Sequence, residues 1–96
     1  MLDRNQARFL IAARTFLSHE KMKNPAVNIY DCEVPGEEVA ALAGMDREAA
    51  EATAKSLQEA GLIHMFVCGG GFGSCKVASL AFDKLDEYLL DYRRRT

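Results

Sequence analysis

Apolar residues recur every three or four positions through the start of the chain, at Phe9, Leu10, Ala13, Phe16 and Leu17, with Arg8, Arg14 and Glu20 between them. That period places one apolar stripe on a helix and predicts a helix over 2–22. Asn24-Pro25 ends it, because proline disfavours helical geometry in the residue before it. Val27, Ile29, Tyr30 and Val34 predict extended chain over 27–34. Pro35 then suits the first position of a short second helix, with Glu37 and Glu38 complementing its positive end. Val39, Ala40, Leu42 and Ala43 form its apolar face, and Gly44 stops it. Asp46 is a natural N-cap for a third helix over 47–60, with Ala50, Thr53, Ala54 and Leu57 inward and Gly61 as terminator. Leu62 to Cys68 and Cys75 to Leu80 read as two strands of a hairpin around the glycine-rich stretch 69–74. A last helix over 82–93 carries Phe82, Leu85, Leu89, Leu90 and Tyr92, and Arg93-Arg94-Arg95 complement its negative end.

The chain has 96 residues, enough for one core, so a single domain over 1–96 is expected, α+β and mainly α. Its composition, 49% apolar and 27% charged, is that of a folded globule. Charges interrupt the first twenty positions at Asp3, Arg4, Arg8, Arg14 and Glu20, which excludes an uninterrupted secretory segment. No apolar run approaches the roughly 20 residues a bilayer span requires. A soluble, cytoplasmic protein is the expectation. Three cysteines, an odd number, fit reduced thiols better than a disulfide framework.

The order helix, short strand, two helices around a glycine turn, hairpin, helix leads to a family. Residues 38–47, Glu-Val-Ala-Ala-Leu-Ala-Gly-Met-Asp-Arg, resemble the start of the helix-turn-helix in MarR- and ArsR-type regulators. Residues 57–63, Leu-Gln-Glu-Ala-Gly-Leu-Ile, are similar to the end of that motif, one residue short. Val77-Ala78-Ser79-Leu80, with Asp83 and Leu89 after it, resembles their second wing strand and the helix behind it. The resemblance covers residues 34–90 and implies a winged helix-turn-helix with a two- to three-stranded antiparallel wing and a C-terminal helix. It further implies a homodimeric transcriptional regulator binding duplex DNA, with the third helix in the major groove and terminal helices at the dimer interface. On that register Arg47, Glu48, Ala49, Glu51 and Ala52 face DNA, with Lys55 nearby and Lys76 at the base of the wing. Phe82, Leu85, Tyr88, Leu89 and Tyr92, more than one stripe of the last helix, become the dimer surface.

Charge leaves a second reading open. The net charge is −2, distributed as +3 over residues 1–24, −6 over 25–59 and +1 over 60–96. Base readout and phosphate anchoring favour Arg, Lys, Asn and Gln, yet the third helix offers Arg47 against Glu48 and Glu51. The wing stretch 69–74 carries no charge. The alternative is therefore a protein–protein interaction module without DNA binding, using Glu48, Glu51 and an aromatic wing tip, Phe72.

Other features carry less. In a regular hairpin around 69–74, Cys68 and Cys75 face each other with His64 and Phe66 on the same side, a possible redox pair or simply packed thiols. Zinc spacing is missing, so no metal is expected. The glycines of 69–73 lead into a strand rather than a helix, which excludes a phosphate cradle. Adjacent carboxylates Glu37-Glu38 and Asp86-Glu87 diverge by about 100° on a helix and read as solvated faces. No nucleophile has a base placed beside it, so neither an enzyme nor a cofactor is expected.

Overall fold

The computed structural model describes residues 1–95; Thr96, the last residue of the expected domain, lies outside the described residues. The fold is α+β and mainly helical: among the described residues, four α-helices surround a three-stranded antiparallel sheet. No helix among them is long and apolar enough to cross a membrane.

Helix α1 spans Arg4–Lys23. Asp3 caps it, accepting from the Gln6 N–H at 2.7 Å while the Gln6 side chain accepts from the Asp3 N–H at 3.0 Å. This reciprocal pair satisfies two backbone donors the helix cannot satisfy itself. Phe9, Leu10, Ala13 and Leu17 are wholly buried, so the stripe read from the sequence is the central wall of the core.

The chain then departs from the expected strand over 27–34. A short 3-10 turn at Ile29–Asp31 interrupts it, with the Asn28 side chain accepting from the Tyr30 N–H. Only β1, Val34–Pro35, reaches the sheet. Its hydrogen-bonded partner is β3, not the neighbouring segment, and the sheet runs β1-β3-β2.

Helix α2 spans Gly36–Ala43, with Pro35 at its N-cap rather than at its first helical turn. Gly44 closes it in the left-handed region at φ 67°, where a side chain is strained. The turn through Met45 leads to Asp46, which accepts from the Ala49 N–H at 2.8 Å and caps α3, Arg47–Glu59. Ala50, Ala54 and Leu57 are buried along the inner face of α3.

The hairpin is tighter than its glycine content suggests. Strand β2 is Ile63–Cys68 and β3 is Gly71–Val77, so only Gly69 and Gly70 form the turn. Their φ values, 59° and 83°, are those a two-residue hairpin turn demands. One residue of β3, Gly73, bulges out, because Phe66 pairs with Ser74 whereas Val67 pairs with Phe72. A Cβ on Gly73 would lie 2.8 Å from the Cys68 Cβ, so the bulge requires glycine. On the other side of β2, the Gln58 side chain accepts from the Met65 N–H at 2.8 Å, occupying a donor on an edge strand open to pairing with another chain.

Helix α4, Ser79–Arg95, begins three residues earlier than the apolar pattern suggests and takes over the end of the expected second strand. Ala81, Phe82 and Leu85 face the core, and the Arg14–Asp86 ion pair at 3.0 Å ties α4 to α1.

Candidate nucleic-acid interface

The first turns of α3 stand beside the tip of the hairpin. Between them lies a cleft of about 430 Å³, lined by Arg47, Glu48 and Glu51 from the helix and by Cys68 to Phe72 from the hairpin. Asp46 fixes where this helix starts, and burial of Ala50, Thr53 and Ala54 fixes which side turns outward. Arg47, Glu48, Ala52 and Lys55 are exposed as a result. Arg47, Glu51 and Lys55 are four residues apart and form one row along the helix.

The basic side chains divide into two groups. Arg8 donates to the Ala43 and Gly44 carbonyls, Arg14 holds Asp86, Lys21 donates to the Val27 carbonyl, and Lys23, Lys84 and Arg95 each pair with a carboxylate on their own helix. Among the described residues, Arg47 and Lys55 form no ion pair. Neither do Glu48 and Glu51, so the row of Arg47, Glu51 and Lys55 carries two cations and one anion, with the exposed Glu48 beside it.

Lys76 is not part of this cleft. Its cross-strand partner is His64, and its Nζ lies 6.0 Å from the centre of the Phe66 ring, on the face of the hairpin away from the core. His64 meets the same ring edge-on at 4.7 Å. Period-two alternation did bring His64 and Phe66 to one side, as expected.

Three expected site features are corrected by the structure. Phe72 is not an aromatic at the wing tip. It is only 7% exposed, its ring stacks on Phe9 at 6.0 Å between centroids, and it packs against Gly36, whose Cβ position is 2.9 Å from the Phe72 carbonyl oxygen. A tight two-residue turn leaves Phe72 inside β3, where the sheet face turns it into the core. It cannot serve as an exposed contact for a partner.

Cys68 and Cys75 are not opposed. Cys68 pairs with Gly71 and is exposed, whereas Cys75 pairs with Met65 and is wholly buried. The expected pairing assumed a six-residue turn; the short turn and the Gly73 bulge shift the register and separate the two thiols. Burial pushes the Cys75 thiol up to about 12. Two outcomes follow. A maleimide or disulfide reagent at pH 8 labels Cys68 in the native protein, while Cys75 reacts only after unfolding, as mass spectrometry of quenched digests would read. Between pH 9 and about 12 the unfolded chain ionises at Cys75 and the folded chain does not, so unfolding releases a proton and stability falls as pH rises.

The expected dimer surface also shrinks. Phe82 and Leu85 are buried within the domain, at 8% and 0% exposure, and are not available to a second chain. Of that set Tyr88 and Leu89 are half-buried and Tyr92 is exposed; Leu90 and, from α1, Ile11 are also exposed. The stripe on α4 was wide because one side of it serves the domain's own core.

No group of His, Cys, Asp and Glu suited to a metal ion is found among the described residues. Comparison with protein-family models, curated proteins and solved structures finds no match to this chain.

Proposed function

We propose that the chain is a winged helix-turn-helix domain that binds duplex DNA and regulates transcription, with α3 entering the major groove and the β2–β3 hairpin as its wing. The supporting observation is the placement of Arg47 and Lys55, both exposed and outside any ion pair among the described residues, on the helix that follows the glycine turn. Arginine at the start of such a helix reaches guanine O6 and N7 with two donors, and a lysine eight residues on is placed for phosphate. The resemblance implies a homodimer, which would draw on Ile11, Tyr88, Leu89, Leu90 and Tyr92.

Gel shifts on fragments of genomic DNA across a salt series test this reading. Wild-type binding is expected to weaken steeply with salt. Arg47→Ala should erase preference among fragments, and Lys55→Ala should weaken binding to all of them alike while lowering the salt slope by about 1. Wild-type protein that binds no fragment at low salt overturns the proposal. The interaction-module reading keeps one supporting observation, Glu48 and Glu51 in the cleft beside the hairpin, and loses its second, because Phe72 is buried.

A further inference from the structure

A groove of about 310 Å³ lies between α2 and the start of α3, next to the cleft beside the hairpin. Gly36 and Ala40 stand one helical turn apart along its wall and leave the space that larger side chains would fill. The buried rings and methyls of Phe72 and Ala50 lie beneath it, and the half-buried Met45 borders it from the α2–α3 turn. A thioether chain is unbranched and adapts its shape to what it meets. Two charges complete the lining: Glu37 from the first turn of α2 and Arg47 from the first turn of α3. Both are exposed, and neither is in an ion pair among the described residues. One apolar groove is therefore flanked by opposite charges that do not bridge each other.

That arrangement sets the chemistry of an occupant. A ligand with only a negative group would satisfy Arg47 and face Glu37 unpaired; a ligand with only a positive group would do the reverse. An α-amino acid carries a carboxylate and an ammonium on one carbon and an apolar side chain beside them. The guanidinium takes the carboxylate with two parallel donors, and the Glu37 carboxylate accepts from the ammonium. The side chain gains by leaving water for the wall of Gly36, Ala40, Met45 and Phe72. The volume is at the low end of the range for small-molecule sites, roughly 300–1,000 Å³, which suits a ligand of that size.

We propose that this groove binds a free apolar α-amino acid, with its carboxylate on Arg47, its ammonium on Glu37 and its side chain against Ala40, Met45 and Phe72. Arg47 lines both this groove and the cleft beside the hairpin, so one guanidinium serves two sites. A bound carboxylate that holds Arg47 withdraws it from guanine and puts no cation in its place. The amino acid therefore opposes duplex binding, and the duplex opposes the amino acid by the same factor. The site itself needs no DNA; only this antagonism rests on the DNA-binding reading. The groove belongs to α2, α3 and β3, so it does not compete with a second copy docked on α1 and α4.

Calorimetric titration and amide NMR spectra of the full chain with L-leucine test the site. A dissociation constant of about 1 mM or tighter is expected, with shifts centred on Gly36, Ala40, Met45 and Ala50. Three probes divide the ligand: glycine has both charges and no apolar side chain, isocaproate lacks the ammonium, and isoamylamine lacks the carboxylate. Each should bind at least about tenfold more weakly than L-leucine. Glu37→Gln and Arg47→Gln should each weaken L-leucine by about tenfold, with thermal melts in the absence of ligand confirming that both variants are folded. If L-leucine, L-methionine and L-phenylalanine all leave the groove residues unshifted at about 10 mM, the site is overturned. Isocaproate binding as tightly as L-leucine overturns it as well. Anisotropy with a labelled duplex, with and without saturating L-leucine, reads the antagonism. A loss of duplex affinity supports it, whereas an unchanged affinity overturns the antagonism and leaves the site standing. Wild-type protein that binds no duplex overturns the α3 reading, and the titration then decides the site alone.

Discussion

Phe72→Ala is expected to cost about 3–5 kcal/mol, the range for removing a buried aromatic ring from a packed core. Domains of this size are stable by only about 5–15 kcal/mol, so the variant should sit near the edge of folding. The effect is large because Phe72 joins three elements. It belongs to β3, stacks on Phe9 of α1 and closes against Gly36 at the start of α2. Urea titration followed by circular dichroism measures it. Gly36→Ala gives an independent check of the same packing, since its new methyl would meet the Phe72 carbonyl at 2.9 Å and ring carbons at 3.1 and 3.2 Å. A Phe72→Ala midpoint within error of wild type would show that this ring is not part of the core.

The second large effect concerns charge on α3. Glu48→Lys/Glu51→Lys should strengthen binding to random duplex at 0.1 M salt by about sixtyfold if each lysine gains one phosphate contact, with the salt slope steeper by about 1.8. Both glutamates line the cleft beside the hairpin and neither is in an ion pair among the described residues, so the change adds charge without breaking a structural contact. A DNA-facing α3 must respond to such a reversal. An α3 that faces a protein shows the opposite: the partner complex weakens through slower, less steered association, and duplex binding stays flat. Anisotropy with a labelled duplex separates the two.

The sequence by itself determined the elements that depend on neighbours a few residues away. The stripe of Phe9, Leu10, Ala13 and Leu17 is a helix face because the period is local. Gly44 and Asp46 mark the turn between α2 and α3 because a left-handed residue and an N-cap are single-residue requirements. The hairpin, the closing helix and the alternation that puts His64 beside Phe66 were legible for the same reason.

Tertiary structure decided everything that depended on register or on shared surface. Glycines at 69–73 signal a turn but not its length, and choosing Gly69-Gly70 moved Phe72 into the core and drew Cys68 away from Cys75. The apolar positions of α4 are a wide set on any helical projection. Only packing on α1 shows that Phe82 and Leu85 are consumed internally while Leu90 and Tyr92 stay outside. Val34 gave no local sign that its partner strand would be β3, some forty residues later, with Cys75 opposite it. Glu37 and Arg47 belong to different helices, and no spacing rule links them. They flank one groove because α2 and α3 pack together across the Gly44 turn, and the charges at the helix starts are carried along with them.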